Sequence, residues 1–409
     1  MGYAKAQLEK GFSPIGGKFV CANCFEDYAI KYFIDLNAES MECNYCGEVS
    51  EGDCIAADID DVIEFIIAGV ESEYEDPANS IGWCSGEGGW VGAPVYDSDE
   101  LIEELVEVSS FSEGLIDDIV ESLAERQWCQ IDPYGDPLSD EFFLDWGHFS
   151  KQIKHQSRYV FYKMPKRKNG SNHYSRADNP YDILDCIGSF AERLGLLSTI
   201  PANTALIRVR QHDASESFST YSELGPPPVE NAIYSNRMSP SGIPMFYAAF
   251  DEKTSIAETS GGSKDSVTIA TFKTIKPFQV LDLTSLHPIP SIFDEENRYL
   301  RQSTIFMNNF LADISKPVIK DGSEHVEYVP TQVVTEYFRH LFRPKNKKAL
   351  KGIIYPSSVF AGGKSCVLFF QQENCTQDDV NIDDNKWLSM ITASIKTATY
   401  SYALLGNEY

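Results

Sequence analysis

The chain contains no run of about 18 apolar residues, the length at which a membrane-spanning helix becomes a candidate. Its first residues carry no apolar segment typical of a secretory signal, so a cytoplasmic location without membrane association is expected. The ten cysteines in 409 residues do not form the pattern of a disulfide framework. Neither a G-x-S-x-G nucleophile elbow nor a Walker A phosphate loop is present, which argues against a serine hydrolase or a P-loop enzyme.

Basic residues are scarce in the first third of the chain. Residues 1–150 contain 5 Lys and Arg against 34 Asp and Glu, whereas residues 151–409 have a net charge of +2. Because an acidic surface repels nucleic acid, nucleic-acid binding by this part is not expected. The simpler interpretation is a highly soluble acidic domain. The more specific interpretation is a domain that covers an active site in the more basic part of the chain.

Two C-x2-C pairs stand 18 residues apart near the N-terminus. This spacing predicts a zinc ribbon, in which each pair places two thiolates on one tight turn. Four thiolates leave no open coordination position, so the predicted zinc is structural rather than catalytic. A redox role for either pair is the less favoured alternative, because the two copies occur together. The predicted metal ligands are Cys21, Cys24, Cys43 and Cys46.

Helical periodicity dominates the acidic region and recurs at the C-terminus. Residues 71–97 interrupt it with a segment rich in Gly, Pro and Trp, which predicts a loop. A C-terminal helical appendage is expected over Trp387–Leu405. The other predicted helices cover residues 56–70, 97–108, 112–127, 142–162 and 180–197.

The stretch 236–258 combines three different elements within a short length of chain. Arg237 lies in a turn-forming context, residues 245–250 form an apolar run of strand length around Tyr247, and a helix is expected to end near Glu258. Local structure alone therefore brings a guanidinium, a phenol and a carboxylate close together. Such a set suits a cationic ribosyl cofactor, because it offers charge for phosphates, a ring to stack on and an anion for developing positive charge.

This stretch resembles the signature of RES-domain proteins, a family named for an arginine, a glutamate and a serine. Residues 206–210 are similar to the family strand that supplies the first arginine, and residues 352–358 are similar to the segment that supplies the serine. Residues 328–339 look like the versions of the family that carry an extra N-terminal domain. The segments occur in the family order, from about residue 200 to about residue 372.

The resemblance implies an ADP-ribosyltransferase-like fold that binds NAD and breaks its bond to nicotinamide. The acidic helical block is similar to the HEPN-like domain that precedes some RES domains. The expected fold class is therefore α+β, with a mostly helical, zinc-containing N-terminal domain followed by a mixed β-sheet. The predicted domains are a zinc ribbon at 1–55, a HEPN-like domain at 56–180, and a RES domain with its helical appendage at 181–409.

Some HEPN domains are ribonucleases that use an arginine and a histidine a few residues apart on a helix. The only comparable pair here is Arg167 and His173. It falls in a polar segment that contains glycine, where no helix is predicted. We therefore interpret the pair as coincidental and ribonuclease activity as a weak hypothesis.

The resemblance assigns two arginines to the binding of NAD. Arg208 corresponds to the first family arginine and would contact a phosphate or the ribose–nicotinamide region with its fork of donors. Arg210 lies two residues further along the same strand and is the second choice. Arg237 is assigned to the pyrophosphate, although Asn236 and Ser239 replace the glycine and asparagine of the family pattern. The structural alternatives are a surface ion pair for Arg208 and a capping role for Arg237.

The resemblance also implies roles for a tyrosine, a glutamate and two serines of the site. Tyr247 would stack on nicotinamide, and Glu258 would stabilise an oxocarbenium-like transition state or orient the attacking group. Ser357 follows a proline and would bond the amide or a phosphate of NAD, with the adjacent Ser358 as the alternative serine. A core tyrosine and a surface glutamate on a helix are the structural alternatives.

The leading hypothesis is an enzyme that cleaves nicotinamide from NAD with water or phosphate as acceptor, and so depletes NAD as a bacterial toxin or defence effector. The second is an ADP-ribosyltransferase that modifies a protein or a small molecule. The third is a zinc-ribbon scaffold whose RES domain is degenerate. Besides NAD, the candidate partners are an antitoxin or regulatory protein and further copies of the chain.

Overall fold

The computed structural model describes residues 11–123, 126–159, 182–259, 266–318, 322–378 and 382–397. The chain groups into two compact units, one of residues 1–141 with 288–302 and the other of residues 142–287 with 303–409. The α+β class is confirmed, since both units contain helices and strands and the second contains a large mixed sheet. None of the helices in the described ranges is long and apolar enough to span a membrane.

The predicted domain boundaries near residues 55 and 180 stay predictions. The first unit includes both the predicted zinc ribbon and most of the predicted helical domain, and its core contains the cysteine pairs together with the apolar faces of several helices. Residues 288–302 group with this unit although they follow the first strands of the sheet in the chain. The pair Arg167 and His173 lies outside the described residues.

The first unit has short strands between helices. Asp27 and Asp58 cap the first two helices with their carboxylates, which accept hydrogen bonds from the otherwise unpaired backbone N–H groups. In chain order the elements are β1 (Phe19–Cys21), α1 (Tyr28–Leu36), β2 (Ala56–Asp58), α2 (Ile59–Val70), β3 (Tyr74–Glu75), β4 (Gly82–Cys84), β5 (Gly89–Val91), β6 (Tyr96–Asp97), α3 (Ser98–Leu105), α4 (Leu115–Leu123) and β7 (Gln127–Gln130).

The prediction of an all-helical acidic block is wrong for residues 71–97 and 127–130. The expected loop contains β3 to β6. α4 ends at Leu123, and β7 begins at Gln127, the residue at which the predicted helix was expected to end. β7 pairs with both β3 and β6 in an antiparallel sheet. These strands have only two to four residues, which is too short for an alternating pattern to appear. β4 and β5 pair with each other locally, whereas β3 and β6 pair with β7, which is distant in the sequence.

The second unit is organised around one large sheet. Within the described ranges, its nine strands follow the order β15-β16-β11-β9-β10-β14-β13-β12-β8, and the parallel pairs among them are β12 with β13 and β15 with β16. In chain order its elements are α5 (Leu138–His155), which begins in the first unit, α6 (Asp182–Arg193), β8 (Leu197–Ile200), β9 (Ala205–His212), α7 (Tyr221–Leu224), β10 (Phe246–Ala249), α8 (Glu252–Thr259), β11 (Ser266–Thr274), β12 (Phe278–Asp282), α9 (Arg301–Ser315), α10 (Glu324–Glu327), α11 (Val329–Glu336), β13 (Gly352–Pro356), β14 (Lys364–Leu368), β15 (Cys375–Gln377) and β16 (Leu388–Thr397).

The sheet is irregular at its centre, where β9 meets β10. β9 pairs with β11 over eight residues, but it shares a single register pair with β10, between Ile207 and Ala249. Backbone groups of the two strands beyond this pair therefore lack a ladder partner on that side. Two side chains bond to the backbone here. Arg208 donates to the carbonyl oxygen of Tyr247. Ser255 donates to the carbonyl oxygen of Ile207.

The predicted C-terminal helix over Trp387–Leu405 is wrong. Residues 388–397 form β16, which pairs with β11 along its whole length, and residues 398–409 lie outside the described ranges. The segment is rich in β-branched Ile and Thr, which fit a pleated surface better than a helix. Its apolar residues permitted either interpretation, and the long ladder with β11 favours the strand.

Candidate functional site

A four-cysteine cluster lies in the core of the first unit. The sulfur atoms of Cys21, Cys24, Cys43 and Cys46 all lie within 4.8 Å of one another. Individual S···S distances are 3.5 to 3.7 Å, far longer than a disulfide bond. A tetrahedron with Zn–S bonds near 2.3 Å has edges of about 3.8 Å, so the cluster fits a four-coordinate metal ion.

The second pair of cysteines is held on a tight turn. The amide of Gly47 donates to the carbonyl oxygen of Cys43 at 3.1 Å, and Gly47 has a φ of +74°, which glycine adopts without strain. The amide of Cys21 donates to the Cys43 sulfur at 3.3 Å and connects the two pairs. The four sulfur atoms therefore face one another, as the sequence spacing predicted.

A cavity of about 970 Å³ lies in the second unit beside the point where β9 and β10 part. The predicted site residues Arg208, Arg237, Tyr247, Glu258 and Ser358 all line it. These residues are distant in the sequence, and the fold brings them around one space. The lining also includes polar groups from α10 and from the chain that precedes β10.

Arg208 connects the two parting strands. Its Nη1 donates to the carbonyl oxygen of Tyr247 at 3.0 Å, and its guanidinium lies 5.5 Å from the ring centre of Phe246. Burial lowers the pKa of Arg208 to about 10, so the group stays positively charged at neutral pH. Among the described residues no carboxylate forms an ion pair with it. The cavity therefore presents a desolvated cation that an incoming anion can neutralise.

Arg210 differs from Arg208 although the two are only two residues apart. It is exposed, donates to the carbonyl oxygen of Glu223 and lies 4.0 Å from the ring centre of Phe218. It is absent from the cavity lining among the described residues.

Glu258 lies in the last turn of α8, is exposed and lines the cavity. Its Oε1 accepts a hydrogen bond from the Ser357 hydroxyl at 2.6 Å, and the Ser365 hydroxyl lies 3.4 Å from the same oxygen. The Ser357 oxygen also accepts from the amides of Val359 and Phe360. The Ser357 hydroxyl is therefore occupied by protein groups, and Ser358 is the serine of this pair that lines the cavity.

The contact between Glu258 and Ser357 depends on close packing of α8 against the loop after β13. Asp251 caps α8 by accepting from the amide and the hydroxyl of Thr254 at 2.8 and 2.6 Å. A Cβ on Gly363 would lie 2.4 Å from the Thr254 hydroxyl oxygen, so only glycine allows this approach. The carbonyl oxygen of Gly363 accepts from the Ser357 amide at 2.8 Å and so fixes the serine beside the helix.

Tyr247 is half-buried at the base of the cavity. Its hydroxyl bonds the Ser239 hydroxyl at 2.9 Å, and burial raises the pKa of Tyr247 to about 12. Burial also raises the pKa of the neighbouring Tyr355, next to Tyr247 and Glu258. Both phenols therefore remain protonated and neutral at physiological pH.

Arg237 lines the cavity but also serves as a cap. Its Nη1 donates to the carbonyl oxygens of Ile314 and Lys316 at the end of α9, the latter at 2.9 Å. Its guanidinium lies 5.8 Å from the ring centre of Tyr328, and its own carbonyl accepts from Thr331. The arginine thus connects the chain before β10 to two helices and also lines the cavity.

Several lining residues were missed by the sequence analysis. Ser239 and Ser365 had no local pattern that marks a site, and Tyr355 looked like an ordinary strand residue. Glu324 and His325 belong to a short polar segment without any motif, so their position depends on tertiary structure alone.

The fold and the cavity together define an α+β protein with a mixed sheet whose central opening is lined by arginine, glutamate and tyrosine side chains. Residues 205–390 match the family model described as the RES domain, and residues 36–167 match the model described as HEPN/RES N-terminal domain 1. The chain is therefore a RES-domain protein that carries a HEPN/RES N-terminal domain, as its motifs predicted. No curated protein and no solved structure matches it.

We expect inorganic pyrophosphate to stabilise the protein through Arg208. A ligand at about a hundred times its Kd raises stability by about 2.7 kcal/mol, so the thermal midpoint should rise when millimolar pyrophosphate is added. Arg208→Met should abolish this rise, whereas Arg210→Met on the same strand should keep it. Differential scanning fluorimetry measures both. Equal shifts in the two variants would show that Arg208 is not the anion-binding group.

Proposed function

We propose that the chain cleaves the bond between nicotinamide and ribose in NAD. The observation that carries this proposal is one cavity that combines an unpaired cation at Arg208 with a carboxylate at Glu258 held by Ser357. NAD needs both, because its pyrophosphate is anionic while its nicotinamide ribose becomes cationic as the bond breaks. The match to the RES domain suggests an activity on NAD and supports the same assignment.

Cleavage of this bond does not require a proton to be transferred to the leaving group. When the bond from C1′ to the ring nitrogen breaks, its electron pair moves to the nitrogen and neutralises the positive pyridinium. Nicotinamide therefore leaves as a neutral molecule, and no general acid is needed. The positive charge that remains on the ribose is stabilised by an anion placed close to C1′.

Glu258 supplies that anion. Ser357 engages Oε1, and Oε2 has no hydrogen-bond partner among the described residues, so it is available to the ribose. The serine fixes the carboxylate in one orientation before the substrate arrives, and a preorganised charge costs no rearrangement during the reaction. Tyr247 contributes a neutral ring on which nicotinamide stacks.

The acceptor is proposed to be water or phosphate. A new bond forms between C1′ and the acceptor oxygen, and the acceptor proton passes to Glu258 or to solvent. Incubation with NAD in the presence and absence of phosphate, followed by mass spectrometry, distinguishes free ADP-ribose from its phosphorylated form. Label from NAD that remains on a protein or another small molecule would instead identify an ADP-ribosyltransferase.

Replacing Glu258 by Gln should reduce NAD cleavage by about 100-fold or more, by analogy with the loss of one preorganised electrostatic group. The amide keeps the shape of the side chain and can still accept from Ser357, so the change mainly removes charge. Glu252→Gln, in the first turn of the same helix, is the control. Glu252 forms an ion pair with Lys396 and is not one of the lining residues of the cavity. Release of nicotinamide by purified protein is the measurement.

A Glu258→Gln protein with full activity would contradict the proposal. If NAD depletion is also the cellular role, a bacterial host that expresses the wild-type chain should lose NAD and stop growing. The host that expresses Glu258→Gln should continue to grow, and the host with Glu252→Gln should behave as wild type.

Ser357 is proposed to position Glu258 rather than to bind NAD. Ser357→Ala should lower kcat by about 10- to 100-fold, the effect expected for a lost hydrogen bond to a charged group, with little change in KM. Ser357→Thr keeps the hydroxyl and should restore most of the activity. Ser358→Ala should act mainly on KM, because Ser358 lines the cavity. A raised KM with an unchanged kcat in Ser357→Ala would assign the serine to substrate binding instead.

We propose that the cysteine cluster holds one structural zinc ion. Elemental analysis should find about one zinc per chain, and Cys43→Ser should lower both the metal content and the thermal midpoint because the cluster is part of the core of the first unit. Cys54→Ser is the control, since Cys54 is exposed and lies outside the cluster. Unchanged thermal unfolding after removal of zinc with a chelator would contradict the structural role.

A further inference from the structure

A second carboxylate lines the cavity. Glu324 is the first residue of α10, is half-buried, and lines the cavity together with Glu258. Its backbone carbonyl accepts from the amide of Tyr328 at 2.9 Å, but no described residue bonds its carboxylate. Glu258 has protein partners and a proposed reaction role, whereas Glu324 has neither. A half-buried carboxylate without donors is suited to accept hydrogen bonds from a ligand.

A series of contacts leads from Tyr247 to the helix that contains Glu324, and Glu258 and Glu324 both line the same cavity. Tyr247, beside Glu258, bonds Ser239 through its hydroxyl at 2.9 Å. Arg237 precedes this serine by two residues, and its guanidinium lies against the ring of Tyr328. The residue after α10 is Tyr328 itself. Along these contacts the groups follow the order phenol, guanidinium, phenol, and Glu258 and Glu324 are two carboxylates of the same cavity.

This order resembles the order of chemical groups in a dinucleotide. NAD consists of a nicotinamide ribose, a pyrophosphate and an adenosine ribose. With the first ribose at Glu258 and the pyrophosphate at the guanidiniums of Arg208 and Arg237, the second ribose reaches the wall that contains Glu324. A carboxylate at that position accepts from ribose hydroxyls, and it repels a phosphate on the 2′ oxygen.

We propose that Glu324 binds the hydroxyls of the adenosine ribose and thereby selects NAD over NADP. The inference rests on the proposed function for the placement of NAD, but it concerns specificity rather than bond cleavage. Glu324 is a specificity-determining residue that contacts the substrate far from the reacting atoms. Its removal should therefore alter the choice of dinucleotide more than the chemical step.

The matched control lies on the same short helix. Glu327 is exposed, pairs with Lys154 at 2.7 Å and is not among the lining residues. Glu324→Gln and Glu327→Gln remove the same charge from the same helix, so a general effect of charge on the protein surface would appear in both. Only the first variant should change the discrimination between dinucleotides.

The experiment compares kcat/KM for NAD and NADP with the full chain. Wild type should prefer NAD by about tenfold or more, as expected when a charged hydrogen bond is replaced by repulsion. Glu324→Gln should reduce the preference about tenfold, Glu324→Arg should favour NADP, and Glu327→Gln should keep the wild-type ratio. A Glu324→Gln ratio within about twofold of wild type would overturn the inference, given that a lost charged hydrogen bond has a larger effect.

A second measurement separates this inference from the proposed function. If wild type cleaves NAD and NADP equally well, the function stands and the role of Glu324 fails. If neither dinucleotide is cleaved, the function fails, and calorimetric titration of NAD and NADP into the wild-type chain tests Glu324 by affinity alone. Preferential NAD binding that is lost in Glu324→Gln would then support the inference, and equal or absent binding of both dinucleotides would overturn it.

Discussion

The guanidinium of Arg208 carries a charge that no described carboxylate balances, and much of the second unit is arranged around it. Partial burial of a charge is unfavourable unless other groups compensate. Here the compensation comes from the Tyr247 carbonyl and from the face of Phe246. Both are available because β9 and β10 part after one shared register pair. The same irregularity that opens the sheet thus provides the acceptor that keeps the cation in place.

The cation and the carboxylate of the site lie in opposite environments. Arg208 extends from a strand and is desolvated, so an anionic ligand would stabilise its positive charge. Glu258 lies in the last turn of a helix, is exposed and lines the cavity, and has only one oxygen engaged by a described residue. Its orientation depends on Gly363, which lets the loop that bears Ser357 approach the helix. A rigid cation and an oriented, partly free carboxylate together suit a substrate that is anionic at one part and becomes cationic at another.

The first unit contributes a different kind of stability. Its cysteine sulfurs are members of the same core as the apolar residues of its helices, and β1 and β2 join the two ends of that core. Metal binding there would act on folding rather than on chemistry, because all four positions around an ion are filled by thiolates. The short strands that interrupt its helices carry no residue of the cavity.

Local sequence carried much of the information about the site. The motif from Arg237 to Glu258 is continuous, so a strand, a cap and a helix could each be predicted from neighbouring residues, and the C-x2-C pairs required only their spacing. The failures share one cause. β16 was assigned to a helix because its apolar residues fit both periods, and only pairing with β11 decides between them. β3, β6 and β7 of the first unit depend in the same way on partners distant in the chain.

The amino-acid sequence by itself determined the fold class, the four cysteines that cluster, the family and the identity of most candidate site residues, since these depend on composition, spacing and short-range motifs. Tertiary structure alone decided that Arg208 rather than Arg210 lines the cavity, that the Ser357 hydroxyl bonds Glu258, and that Glu324 reaches the same cavity. The physical reason is that hydrogen bonds and burial depend on distance in space. These distances are set where strands separate and where loops pack against helices. Neither feature can be predicted from residues that are neighbours in the sequence.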